Sequence, residues 1–192
     1  MAGKQAKILT DDHFAALLGF ACHHTRVPLR NQLIVLLSVK AGLRAGEIAN
    51  LTWDMVVDAD GAVGSTIELP DQAAKKGSGR RIPIHDDLRA ALSDWLDTTC
   101  DVGPVIRSER GRAMTAVSIV NWFALAYSAI GLTGCSSHSG RRTFITRAAR
   151  LVHKAGGSLR DVQLLAGHRS IQTTQCYIDG DSDAQRRLVS LI

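Results

Sequence analysis

The chain has 192 residues, 45% hydrophobic and 21% charged, with a net charge of +5. A chain of this size buries roughly 70% of its unfolded surface, so a single core suffices and no disulfide staple is needed. That balance excludes a disordered tract, and the scattered Cys22, Cys100, Cys135 and Cys176, with no C-x-x-C pair, exclude a disulfide scaffold and read as reduced cytosolic thiols. With no apolar leader core and no long apolar run, the protein is expected to be soluble, not exported and not membrane-bound.

In chain order, Thr10 with Asp11 and Asp12 marks a helix start, and Phe14, Leu17, Leu18 and Ala21 continue it at helical spacing. Pro28 opens a second helix over 29–41 that is apolar on most sides, and so central; Gly42 stops it. Arg44 then leads into a short helix, A-G-E-I-A-N-L. From Met55 the pattern changes: M-V-V-D, S-T-I-E-L and R-R-I-P-I read as three short antiparallel strands. Pro83 puts the third at an edge or at its end. Helices are expected over 86–98 and 115–130, from about Ser139 to Gly156-Gly157, and from the Ser158–Asp161 capping box to Gly167. A weakly amphipathic tail helix is expected over 183–192. The loops at 73–79 and 101–113 are the stretches expected to be most flexible. The whole is α+β, mainly α-helical with a small three-stranded antiparallel sheet, in a single domain with its core at about 10–180.

Charge is unevenly placed. Residues 52–74 carry five acids and no Lys or Arg. Residues 138–169 carry Arg141, Arg142, Arg147, Arg150, Lys154, Arg160 and Arg169 against one acid, Asp161. Such a basic face is either a solvated helix surface or the footprint of a polyanion.

Six polar positions stand out. Arg44 and Glu47 are three apart, on one helical face, as a structural ion pair or a pre-oriented fork for phosphate. His138 and Arg141 are also three apart at a helix start, where free N–H groups and the macrodipole favour anions. His168 follows the Gly167 stop, and Tyr177 comes nine residues later. Taken singly, either is more simply a packing residue with a wet polar end. Cys22-His23-His24 is too compact for a zinc site and reads as a helix end. There is no P-loop and no carboxylate cluster of metal-ligand type.

Together, G-L-R-x-x-E, K-x-x-x-x-R-x-x-P, H-x-x-R, L-x-G-H and T-T-x-x-Y occur in one order on one mixed chain. This set resembles the tyrosine recombinases, the phage integrase family, over roughly residues 10–180, and matches that family's catalytic domain, of the DNA breaking–rejoining type. The resemblance implies Arg44 and Arg141 as the two catalytic arginines, His138 and His168 at the two histidine positions, and Tyr177 as the nucleophile. Counting back eight residues from Pro83 to the family's hairpin lysine gives Lys75, with Lys76 beside it on the same loop. Glu47 matches the acid that supports the first arginine. Lys76, Arg80, Arg81, Arg142 and Arg169 are expected to contact DNA.

The implied activity is site-specific cleavage and rejoining of double-stranded DNA, without metal, ATP or other cofactor, by a cytoplasmic, nucleoid-associated enzyme. The implied partners are DNA and further copies of the chain: a dimer on inverted half-sites and a tetramer in synapsis, joined through the tail. Two departures stand out. Gly140 occupies a place where the family usually has an apolar residue, so a core anchor is expected to be missing. Arg44 comes too early to follow the usual N-terminal core-binding domain, so the chain is read as a naturally short member or an excised catalytic domain. Alternatives are a type IB topoisomerase-like relaxing enzyme, and a DNA-binding regulator without catalysis.

Overall fold

The computed structural model describes residues 6–73, 79–99 and 101–177, together with Arg186, Val189, Ser190 and Ile192. The expected lysines, Lys75 and Lys76, and most of the expected tail helix lie outside the described residues. The chain divides into two compact units, Met1–Phe144 and Ile145–Ile192.

In the first unit, α1 (Asp11–His23) begins at Thr10, whose hydroxyl accepts from the His13 N–H. This satisfies a donor that the first helical turn leaves over. α2 (Pro28–Lys40) buries Leu33, Ile34, Val35, Leu36, Leu37 and Val39. Its apolar residues go nearly all round, so it packs against α1, α4 (Asp86–Leu96) and α3 (Ala45–Ala49). α5 (Ala116–Ala129) adds Ile119, Phe123 and Tyr127 to the same core.

The sheet has two strands among the described residues: β1 (Thr66–Leu69) pairs antiparallel with β2 (Arg80–Pro83), Thr66 opposite Pro83 and Leu69 opposite Arg80. The expected third strand at Met55–Asp58 does not form. Trp53–Met55 is a 3₁₀ turn, and the N–H groups of Val56 and Val57 both donate to the Trp53 carbonyl. Donors spent within the turn cannot build a ladder, and a single bridge, Val57 to Val63, remains. The Asp58 carboxylate closes the turn between them by accepting from the Asp60 and Ala62 N–H groups.

The 101–113 loop is laced to the core, contrary to the sequence-based expectation. Val105 and Ile106 are buried. Val105 N donates to Leu51 O at 2.9 Å, Trp95 Nε1 to Val105 O at 2.8 Å, and the buried Arg30 to Arg107 O at 3.1 Å.

α6 (Ser139–Leu151) begins in the first unit and ends in the second, short of the expected Gly156 because residues 152–156 form turns. In the second unit, α7 (Leu159–Ala166) starts at the Ser158–Asp161 capping box and ends at Gly167. α8 (Ile171–Gln175) packs against it. Its five residues, I-Q-T-T-Q, carry no apolar period by which a sequence could announce a helix.

Candidate active site

In the first unit, the G-L-R-A-G-E segment builds an arginine fork. Glu47 is the third residue of α3, so its carboxylate reaches back to the Arg44 N–H, with Oε2 at 2.9 Å. Its Oε1 accepts from Arg44 Nη1 at 2.6 Å. Glu47 is 2% exposed, whereas the Arg44 side chain keeps 24% of its surface. The carboxylate therefore sits inside and the guanidinium reaches outward.

A second arginine shares that carboxylate. From β2, Arg80 Nη1 donates to Oε1 and Nη2 to Oε2, both at 3.0 Å. The Arg80 side chain is 5% exposed, which does not fit its expectation as a DNA contact. Burial pushes the Glu47 carboxyl up. The hydrogen bonds and charge of Arg80, then those of Arg44, more than offset this and hold it at about 2. Arg81, next along β2, points outward and pairs with Glu68 across the hairpin.

Arg141 is the third residue of α6 and is buried. Its Nη1 donates to the carbonyl of Gly42 at 2.6 Å. Gly42 ends the α2 turn at φ 65, and a Cβ there would strike the ring of Phe144. The stop signal of α2 thus presents the acceptor for Arg141, two residues before Arg44. His138 lies just before α6 and is exposed; its N–H donates to Ser136 Oγ at 3.3 Å. Arg142 donates to Ala6 O at 2.8 Å.

Gly140 is not a missing anchor. It is buried, and a Cβ added there would meet Ser38 Oγ inside contact distance, Ser38 Cβ at 3.0 Å and Val39 Cγ2 at 3.1 Å. The start of α6 therefore lies backbone-close on α2, which an apolar side chain at 140 would prevent. The contact replaces the anchor.

The second unit assembles His168 with Tyr177. Their rings are stacked, centroids 5.5 Å apart and 24° between planes. His168 Nδ1 is 3.0 Å from the hydroxyl of buried Thr174, and its backbone carbonyl accepts from Gln163 Nε2 at 2.9 Å. Gln163 is itself held by Arg160 at 2.8 Å. Tyr177 is half-buried, one turn after Thr174, whose carbonyl accepts its N–H at 3.1 Å. Arg169 is exposed.

Sequence reasoning missed Arg80 as a partner of Glu47, and Thr174 and Gln163 as partners of His168. Both Arg80 and Thr174 stood inside quoted motifs, but which way each side chain turns depends on strand register and on the short α8.

A partly exposed arginine on a buried carboxylate, with a second arginine held by a backbone carbonyl, is an arrangement for binding an anion such as phosphate. The family model described as "Phage integrase family" matches residues 7–183. The chain belongs to the phage integrase family. It is 32% identical over 176 residues to the tyrosine recombinase XerC of Pseudomonas fluorescens (strain Pf0-1), covering 89% of this chain and 55% of that protein. The crystal structure of XerA recombinase superposes with a TM-score of 0.74 at 25% identity, covering 96% of this chain and 64% of the other. A lambda integrase dimer bound to a COC′ core site shares the fold, with TM-score 0.73 and 21% identity over 95% of this chain and 50% of that one. The chain spans about half the length of the curated relatives it matches. No helix among the described residues is long and apolar enough to cross a membrane.

Proposed function

We propose that this chain is the catalytic portion of a site-specific DNA recombinase that works through a covalent 3′-phosphotyrosyl intermediate. The observation that carries this reading is that both arginines of the family motif are held by fixed acceptors, Arg44 by Glu47 and Arg141 by Gly42 O. Donors fixed before the reaction stabilise growing phosphate charge without reorganisation, each typically worth ~10²–10³ in rate.

In this mechanism Tyr177 Oη attacks the scissile phosphorus. The new P–O(Tyr) bond forms as the P–O5′ bond breaks. The tyrosine proton passes to His138, acting as base, and Lys75 gives a proton to the departing 5′ oxygen. Arg44, Arg141 and His168 bear the charge of the transition state. Attack by a free 5′-hydroxyl reverses the step and restores Tyr177. The phosphotyrosyl ester retains the energy of the phosphodiester, so rejoining needs no ATP, and the cationic side chains take the part a metal plays elsewhere.

The partners in this reading are double-stranded DNA and other copies of the chain, dimeric on inverted half-sites and tetrameric in synapsis. The lambda integrase relatives, solved as a dimer on a core site and as a tetramer on a Holliday junction, support that choice over a monomeric relaxing enzyme. The test is a nicked suicide substrate followed by denaturing electrophoresis. Wild type should give a covalent protein–DNA band and Tyr177→Phe none. Absence of the band with wild type overturns the enzyme reading; a band that persists in Tyr177→Phe moves the nucleophile.

A further inference from the structure

Glu47 is saturated. Oε1 accepts from Arg44 Nη1 and Arg80 Nη1, and Oε2 from the Arg44 N–H and Arg80 Nη2. A carboxylate has about four lone-pair sites, and all four are filled here. Arg80 supplies two of these bonds as a parallel fork, the geometry that sets the plane of a carboxylate. Arg44 supplies the other two, one from its backbone and one from its side chain. The direction of the Arg44 guanidinium therefore depends on a carboxylate plane that another residue sets.

We propose that Arg80 is a positioning residue for cleavage: it orients Glu47, and through Glu47 holds Arg44 outward toward the scissile phosphate. This rests on the recombinase reading above. It replaces the expectation that Arg80 contacts DNA, which its burial disfavours.

Removing Arg80 leaves Oε1 and Oε2 each one donor short in a buried site. Among the described residues, the donor already on Glu47 is Arg44. Its second Nη turns inward to complete a bidentate pair with Glu47, and it is drawn from the phosphate. Glu47 also loses the stronger of the two arginines that oppose its burial, so it takes up a proton at higher pH. Among the described residues, Asp54, Glu68 and Arg81 line a pocket together with Arg80. Of these, Arg81 is already paired with Glu68.

The experiment compares wild type, Arg80→Met and Arg80→Lys on the suicide substrate. It reads single-turnover cleavage rate, DNA affinity against salt, and thermal melting against pH. The expected result for Arg80→Met is a rate lower by ~10-fold or more, short of the ~10²–10³ typical of deleting such a donor outright. Its melting temperature should fall less between pH about 5 and 2 than that of wild type, because the folded Glu47 value rises toward its ordinary one. DNA affinity should keep the wild-type salt slope. Arg80→Lys, with a charge but no fork, should fall between the two.

A salt slope lower by about one, the mark of a lost phosphate contact, overturns the proposal. So does a rate unchanged in Arg80→Met, or an acid loss of stability between pH about 5 and 2 as steep as that of wild type. If melting shows that Arg80→Met does not fold, Arg80→Lys decides by the same criteria. Failure of wild type to cleave is a different outcome: it removes the recombinase reading and this inference with it.

Discussion

Arg141 Nη1 donates to the carbonyl of Gly42 across 2.6 Å, joining the third residue of α6 to the turn that ends α2. The turn exists because Gly42 adopts φ 65, which side chains disfavour, and because no Cβ there occupies the space of the Phe144 ring. Gly42→Ala is expected to destabilise the protein by roughly 1–3 kcal/mol from strain and overpacking. It should lower cleavage further than stability alone explains, because the carbonyl that holds Arg141 moves. Urea unfolding alongside single-turnover cleavage, under conditions where the variant is folded, separates the two effects.

Gly140 and Ser38 form a second close approach. Gly140→Ala should cost roughly 1–3 kcal/mol by overpacking. The Ser38 hydroxyl is buried without a hydrogen-bond partner among the described residues, so Ser38→Ala alone should be near neutral or stabilising. In the double variant the worst overlap, with Ser38 Oγ, is gone, leaving Ser38 Cβ at 3.0 Å and Val39 Cγ2 at 3.1 Å. A double-mutant cycle by denaturant unfolding should show recovery of part of the loss. Strict additivity would mean that the two positions do not touch.

Glu47 makes stability depend on acid. Its folded pKa of about 2 lies below the ordinary value of 4.5, so the unfolded chain binds the proton more tightly. The stabilisation is fully present above the unfolded value, falls as pH drops below about 4.5, and is gone below about 2. Its size is on the order of 3 kcal/mol. Glu47→Gln keeps the shape but loses the charge. It should be less stable at neutral pH and show a flatter decline between pH about 5 and 2 than wild type. Denaturant midpoints across that range provide the check; parallel curves would assign the acid dependence to other groups.

Thr174 orients His168. Thr174→Val keeps the buried volume and removes the hydroxyl 3.0 Å from His168 Nδ1. The loss of one such bond is worth about 1 kcal/mol, or roughly fivefold to tenfold in an equilibrium or rate. Cleavage on the suicide substrate should fall by that factor with DNA affinity unchanged. An equal rate in wild type and Thr174→Val would place the control of His168 in the backbone bond from Gln163 instead.

Most helices were legible in the sequence because their signals are local. Thr10, Pro28, Gly42, the Ser158–Asp161 box and Gly167 each act on the turn beside them, and the observed ends agree to within a residue or two. The family motifs were legible for another reason: their order and residue types survive without any knowledge of shape. The third strand was misread because V-V has β propensity, but the N–H groups of Val56 and Val57 are committed to Trp53. Propensity cannot reveal a donor spent on a 3₁₀ turn.

What only the tertiary structure decided is which groups meet. Gly140 as a sequence letter is a lost side chain; against Ser38 and Val39 it is the condition for two helices to touch. Arg80 as a letter is one more cation near a basic face; in β2 it is buried on Glu47, thirty-three residues earlier. The types and spacings of Arg44, Glu47, His138, Arg141, His168 and Tyr177 were readable in one dimension, since helix periodicity and motif order are properties of the chain. The partners that hold them, Gly42 O, Arg80 and Thr174, were not. Burial and hydrogen-bond saturation are set by what the fold packs against each side chain, and no local pattern encodes that.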